Sequence, residues 1–148
     1  MDTWKNDKTI CKITLIVSIS LLALSLTQKC YCTTINGCGD SLMVFIFGIL
    51  GLAYGGAALT WLANPLLIAS WITLKPSNKW SLILSVIAFL ISISFLLFDK
   101  VIADEAGNFH EIIGYKLGYW LWVSSSFIMI AGNLIRLKIS KQQISAHM

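Results

Sequence analysis

Residues 41–74 read SLMVFIFGILGLAYGGAALTWLANPLLIASWITL, a run of 34 residues without a charged side chain. A straight α-helix of this length would measure about 51 Å, because each residue adds about 1.5 Å. The hydrocarbon core of a bilayer is about 30 Å thick. The run is therefore too long for one crossing and too short for two crossings joined by a turn. We expect one net crossing with a break in the helix.

Two places within this run favour a break. Asn64 and Pro65 form the first, because proline removes a backbone donor and disfavours helical geometry at the preceding residue, while asparagine can cap a new helix. The glycine-rich stretch 48–56 is the second. We expect either a spanning helix followed by an interfacial segment over 65–74, or a half-helix over about 42–50 that leads into a kinked span.

Three other stretches have the length and composition of a single crossing. With the broken one, the predicted spans are about 9–28, 42–74, 80–98 and 117–135. The whole chain is 57% hydrophobic and 12% charged, far from the half-apolar, quarter-charged composition of soluble domains. The sequence therefore predicts an all-α fold, a polytopic bundle of about four transmembrane helices in one domain over 1–148.

The beginning of the chain also resembles a secretory signal, with a basic start, an apolar core over 13–26 and a polar segment after it. Lys29 immediately before Cys30 is unsuited to a lipoprotein cleavage site, and no clear pair of small residues follows the apolar core. We therefore expect the first span to be retained. Cleavage would leave three spans.

The basic residues predict the orientation of the spans. Eight lysines and arginines lie in the N-terminal segment, in the loop between the second and third spans and in the C-terminal segment, whereas three lie in 29–40 and 99–116. Short basic segments stay in the cytoplasm. Both termini are therefore predicted to be cytoplasmic, with 29–40 and 99–116 as external loops. Topology also accounts for the net charge of +4, so we expect no nucleic-acid partner.

Tyrosine and tryptophan gather near the predicted ends of the spans, where such rings anchor a helix at the interface between lipid and water. The predicted anchors are Trp71, Trp80, Tyr115, Tyr119, Trp120 and Trp122.

Cys30, Cys32 and Cys38 lie in the first external loop, which faces an oxidising compartment. We expect one structural disulfide, between Cys38 and either Cys30 or Cys32. The alternative is thiol-disulfide exchange, but this chemistry often uses a Cys-x-x-Cys pair, which the loop does not contain. A metal site over Asp104, Glu105, His110 and Glu111 is not expected, because their spacing does not bring three or four ligands together. We predict no metal and no cofactor.

Five short elements, CYCT (30–33), CGDS (38–41), WLANPL (61–66), DEAG (104–107) and GYWLW (118–122), resemble a group of small four-helix bacterial inner-membrane proteins without an assigned activity. The likeness runs over most of the chain. It implies a bacterial inner-membrane location and no particular mechanism.

The apolar stretches 13–28, 41–74, 80–98 and 117–135 contain no Asp, Glu, Lys, Arg or His, and ion-coupled transporters usually place such groups there. The leading hypothesis is a non-enzymatic membrane protein that acts through helix packing and external-loop contacts, as an accessory, assembly or immunity-type protein. Its partners would be the bilayer and another membrane protein or a second copy of the chain. The alternatives are a component of a small-molecule or ion transporter or channel, and thiol exchange through the external cysteines.

The orientation can be tested with reporter fusions. A reporter that is active only in the periplasm should be active after Phe98 and inactive after Leu74 or Ile139, because the basic segments hold those positions in the cytoplasm. Activity after Ile139 would contradict an even number of spans.

Overall fold

The computed structural model describes residues 2–35, 37–102 and 108–146. Within them lie five α-helices: α1 (Asp2–Leu26), α2 (Ser41–Gly51), α3 (Ala63–Thr73), α4 (Asn78–Ser94) and α5 (Leu117–Ala146). The four strands are β1 (Lys29–Thr33), β2 (Gly37–Asp40), β3 (Lys100–Ile102) and β4 (Phe109–Tyr115). Short 3₁₀ segments cover Leu52–Tyr54, Gly56–Leu62 and Phe95–Leu97.

Four helical segments are long and apolar enough to cross a membrane: Asp7–Leu26, Gly56–Thr73, Asn78–Leu97 and Leu117–Gln142. The prediction of a mostly helical fold with four candidate spans is therefore confirmed. α2, with 11 residues, has a length of about 16 Å, which is about half of a bilayer core.

The prediction of an all-α fold was wrong, because the two segments expected to be loops pair as a four-stranded antiparallel sheet. Its strand order is β2-β1-β4-β3. Tyr31 pairs with Tyr115, and Lys116 N donates to Cys30 O at 2.8 Å. The end of α1 and the start of α5 lie side by side, so β1 and β4 emerge next to each other and satisfy each other's backbone groups. We call this end of the molecule the sheet end.

The break in the long apolar run lies in its glycine-rich half. α2 ends at Gly51, and two 3₁₀ segments separate it from α3, with Gly55 and Gly56 at φ values of +70° and +58°. Glycine adopts such left-handed conformations without the steric cost of a Cβ. Pro65 lies in the first turn of α3, where its missing N–H costs little.

The first and last helices form the most extensive helix pair. Buried positions on α1 recur every three or four residues, and several are small or hydroxyl-bearing: Cys11, Thr14, Ser18, Leu22 and Ser25. Ser18 Oγ donates to Ser125 O at 2.9 Å, and Ser125 Oγ donates to Ser18 O at 2.8 Å. A methyl group added at Gly132 would overlap the Thr14 side chain. Small residues thus let the two backbones approach closely, as in membrane helix pairs.

α4 presents a similar row of small residues to its neighbours, namely Ser81, Ser85, Ala88 and Ser92, all fully or almost fully buried. Ser81 Oγ donates to Ser70 O of α3 at 2.9 Å. Asn133 Nδ2 of α5 in turn donates to Ser81 Oγ at 3.0 Å and to Met129 O at 2.8 Å. These bonds join α3, α4 and α5 through groups that would otherwise be unsatisfied in an apolar interior.

An ion pair connects the chain's two terminal helices at the end opposite the sheet. Arg136 binds both carboxylate oxygens of Asp7, with Nε at 2.8 Å from Oδ1 and Nη2 at 3.1 Å from Oδ2. The same guanidinium donates through Nη1 to the carbonyl of Leu74, just after α3. Bidentate contact with a carboxylate suits the planar arginine fork. One side chain therefore joins α1, α5 and the end of α3.

The small-residue contact between α1 and α5 can be tested with two adjacent serines. Ser125→Leu should lower the free energy of unfolding by at least about 2 kcal/mol, because a larger side chain does not fit the close contact and the bonds to Ser18 are lost. Ser124, which is exposed on the same helix, provides the control, and Ser124→Leu should have little effect. The measurement is thermal unfolding of the purified protein in detergent. Equal stability of both variants would contradict the close packing.

Candidate functional site

The disulfide joins Cys32 to Cys38, which are partners across the β1–β2 pair. The sequence left Cys30 and Cys32 as alternatives, and the structure leaves Cys30 as a free, buried thiol. Cys30 Sγ donates to Gly39 O at 3.2 Å. Burial raises the pKa of the Cys30 thiol, so the reactive thiolate is scarce at neutral pH. This arrangement is typical of a structural disulfide and not of a site of thiol-disulfide exchange.

Asn64 does not cap α3, in contrast to the expectation from its position before Pro65. The N-cap residue of α3 is Leu62, without a side-chain bond. Asn64 is only 5% exposed, and its Oδ1 accepts a hydrogen bond from Trp122 Nε1 at 2.8 Å. This bond fixes the orientation of the side-chain amide. Within the described residues, this is the hydrogen bond that the Asn64 side chain makes, and it leaves Nδ2 without one.

The six predicted anchors fall into two groups. Four have hydrogen-bond partners, and the first of these is Tyr115, whose hydroxyl donates to Phe95 O at 3.5 Å. Trp122 binds Asn64, Trp71 Nε1 donates to Ser18 Oγ at 2.9 Å, and the Tyr119 hydroxyl donates to Ser92 O at 3.1 Å, with Tyr119 2% exposed. Tyr119 is thus a core residue and does not face the surface. Trp80 and Trp120 remain largely exposed, and their anchoring role stays a prediction.

An aromatic cluster joins the sheet to the helices beneath it. Phe95 contacts Tyr31, Tyr115 and Tyr119, with ring centroids 5.4 to 5.8 Å apart. Burial raises the pKa of Tyr31 to about 12, and it also raises the pKa of Tyr115. Both phenols are therefore neutral at physiological pH. They contribute packing and hydrogen bonding and carry no charge.

A cavity of about 680 Å³ separates α2 from the bundle at the sheet end. α1, α2, β1, the 3₁₀ segment Gly56–Leu62 and α5 all contribute to its lining. The lining is mainly apolar and contains no charged side chain. Asn64, Ser41 and Cys30 are among its polar members. The sequence did not predict this cavity, for which the glycine-rich stretch 48–56 is the signal.

Those glycines shape the outer wall of the cavity. A methyl group at Gly48 would overlap the indole of Trp61, whose Nε1 donates to Phe45 O at 2.8 Å. At the end of α2, a methyl group at Gly51 would lie 3.1 Å from Ala58 Cβ. α2 therefore packs closely on the 3₁₀ segment near its end, while its first residue, Ser41, lies against Gly118 of α5. The cavity is the space left between them.

Apolar side chains are also exposed outside the cavity. Leu42, Ile46 and Ile49, spaced three or four residues apart on α2, are exposed and do not line the cavity. We call them the outer face of α2. On the sheet end, Ile35, Phe109 and Ile113 are exposed. Exposed apolar groups of this kind often mark contacts with lipid or protein.

Of the four residues considered as a metal site, His110 and Glu111 lie within the described residues. Asp104 and Glu105 lie outside the described residues. Glu111 lies 3.8 Å from Lys100 Nζ across the β3–β4 pair. Among the described residues, no group of three His, Cys, Asp or Glu side chains is placed to hold a metal ion.

Comparison with known proteins identifies no relative: no protein-family model, no curated protein and no solved structure matches this chain. Functional inference therefore depends on the geometry described above.

The cysteine assignment predicts different effects of two substitutions. Cys38→Ser should lower the free energy of unfolding by about 2 kcal/mol, the chain-entropy estimate for so short a loop, and should free Cys32. Cys30→Ser should leave the disulfide intact. The measurements are thermal unfolding in detergent and the number of thiols that react in denaturant without reductant. The disulfide assignment would be wrong if Cys30→Ser raised the number of reactive thiols instead of lowering it by one.

Proposed function

We propose that this chain is a multi-pass protein of a bacterial inner membrane, with both termini in the cytoplasm and the sheet in the periplasm. We further propose that it acts without catalysis, as an accessory, assembly or immunity-type protein that binds another membrane protein. The four apolar spans support the membrane setting. The bias in basic residues supports the orientation. The outer face of α2 is the observation that carries the proposed activity.

α2 is poorly matched to a purely structural role. Leu42, Ile46 and Ile49 are exposed, and the helix is too short to span a bilayer. It is attached at both ends, with Ser41 N donating to Gln28 O at 3.1 Å and Gly51 packed near Ala58. A short apolar helix held in this way presents a fixed surface for packing against a partner helix.

The sheet offers a second contact surface at the same end. Ile113 is 65% exposed and lies on β4, beside β1 with its disulfide. The backbone bond from Lys116 N to Cys30 O ties β1 to the start of α5. Apolar side chains on a fixed, water-facing element are common in the core of protein interfaces. A partner that contacts both α2 and the sheet would be recognised within the membrane and outside it.

Photo-crosslinking in intact cells tests this proposal. A photoreactive phenylalanine analogue at Ile46 or at Ile113 should form an adduct with the same protein, because both positions face one partner. The control position is Ile16, which is exposed on α1. The mass of each adduct gives the size of the crosslinked partner. Co-expression of two differently tagged copies of the chain shows whether that partner is a second copy or a different protein. The absence of protein adducts at Ile46 and Ile113, or identical adducts at Ile16, would contradict the proposal.

Transport of an uncharged molecule is a second candidate, favoured by the cavity beside the broken helix. Irregular backbone within a membrane is tolerated where it lines a cavity, and transporter sites often use such broken helices. The cavity lining contains no ionisable group except the Cys30 thiol and the phenols of Tyr31, Tyr54 and Tyr119, which suits an uncharged substrate. Thiol exchange has less support, because the free thiol next to the disulfide is buried and its pKa is raised.

A further inference from the structure

We propose that the cavity between α2 and the bundle binds one uncharged, lipid-like molecule, with a carbonyl oxygen of the ligand accepting a hydrogen bond from Asn64 Nδ2. This site is separate from the partner surface proposed above, because it uses the inner face of α2 and not Leu42, Ile46 and Ile49.

The cavity has the size and lining of a ligand site. Its volume of about 680 Å³ lies within the range of about 300–1,000 Å³ that is typical of small-molecule pockets. Such pockets are mainly apolar, with a few polar groups that orient the ligand. Leu22, Leu26 and Val44 contribute apolar wall, and Asn64 and Ser41 contribute polar groups. The absence of charged side chains from the lining favours an uncharged ligand.

Asn64 supplies the specific polar contact. Its Oδ1 accepts a hydrogen bond from Trp122 Nε1, which fixes the orientation of the amide. Nδ2 is then the donor that can bind a ligand. The other asparagine of the apolar segments shows the contrast, because Asn133 Nδ2 donates to both Ser81 Oγ and Met129 O. A donor without an acceptor in a mainly apolar space carries a free-energy cost. A carbonyl oxygen in the cavity would remove that cost.

Ser41 is a second polar group in the lining. It is buried, and its Oγ has no hydrogen-bond partner among the described residues. The sulfur of Cys30 is a polar neighbour, but thiols are weak acceptors. Ser41 and Asn64 therefore mark two polar points in a mainly apolar space. This pattern matches a molecule with a polar head and a hydrocarbon chain.

The lining continues to the surface through apolar residues. Met43, Phe47, Leu50 and Tyr54 line the cavity and are also exposed. A hydrocarbon chain can follow this path from the surrounding bilayer into the cavity without contacting a charged group. Two uncharged sources provide a carbonyl with a hydrocarbon chain: the acyl ester of a diacylglycerol and the ring of an isoprenoid-type quinone. The experiment must distinguish them.

Native mass spectrometry of the protein in detergent tests the proposal with two uncharged probes, dioleoylglycerol and decylubiquinone. Wild type should retain one molecule of one probe, and the mass of the complex identifies which. Val44→Trp should lower the retained fraction at least tenfold, because the indole fills the cavity. The matched control is Ile46→Trp, two residues further along α2 on its outer face. This variant should retain the probe as wild type does.

Asn64→Leu provides an independent variant that keeps the side-chain volume and removes the donor. It should weaken retention about five- to tenfold, whereas Val44→Trp should abolish it. If Val44→Trp is not monodisperse, Leu50→Trp replaces it, since Leu50 also lines the cavity. Equal retention by wild type, the tryptophan variant that fills the cavity and Asn64→Leu would overturn the proposal, as would wild type that retains neither probe. Either result is independent of the crosslinks at Ile46, so the two proposals can fail separately.

Discussion

The reciprocal hydrogen bonds between Ser18 and Ser125 set the geometry on which the other contacts depend. Each hydroxyl donates to the other residue's carbonyl, which requires the two backbones to lie unusually close. Apolar surroundings provide little hydrophobic force between helices, so close packing and hydrogen bonds must hold them together. Once α1 and α5 are fixed in this register, Ser25 lies beside Gly118. β1 and β4 then leave the bundle as neighbours and can pair.

The sequence predicted the apolar spans well, because the bilayer imposes a length on uncharged segments that can be measured by counting. It did not predict the sheet. Pairing of β1 with β4 depends on which helix ends coincide, and this is a property of the packed bundle. The local signals were present but weak, since Thr33, Val101 and Ile112 are β-branched residues in short segments and β-propensity depends strongly on context.

Candidate site residues were predictable only where chemistry limited the choices. Three cysteines in one short loop allowed few disulfides, and Cys32 was among the partners considered for Cys38. Asn64 was recognised as an unusual residue, but its role was misjudged, because its partner Trp122 is 58 residues away. A capping role can be inferred from adjacent residues. A contact between distant helices cannot be inferred from one sequence without knowledge of their register.

The separation of Ser18 and Ser125 along the chain has a consequence for biosynthesis. Their 107-residue spacing means that the ribosome completes α1 long before α5 exists. At about 5–20 residues per second, this interval is roughly 5 to 20 s. During that time the hydroxyl-bearing side of α1 lacks its contacts with α5, although Trp71 of α3, which already exists, can donate to Ser18. α5 is synthesised after the four other described helices, so loss of α5 would leave α1 without its principal partner.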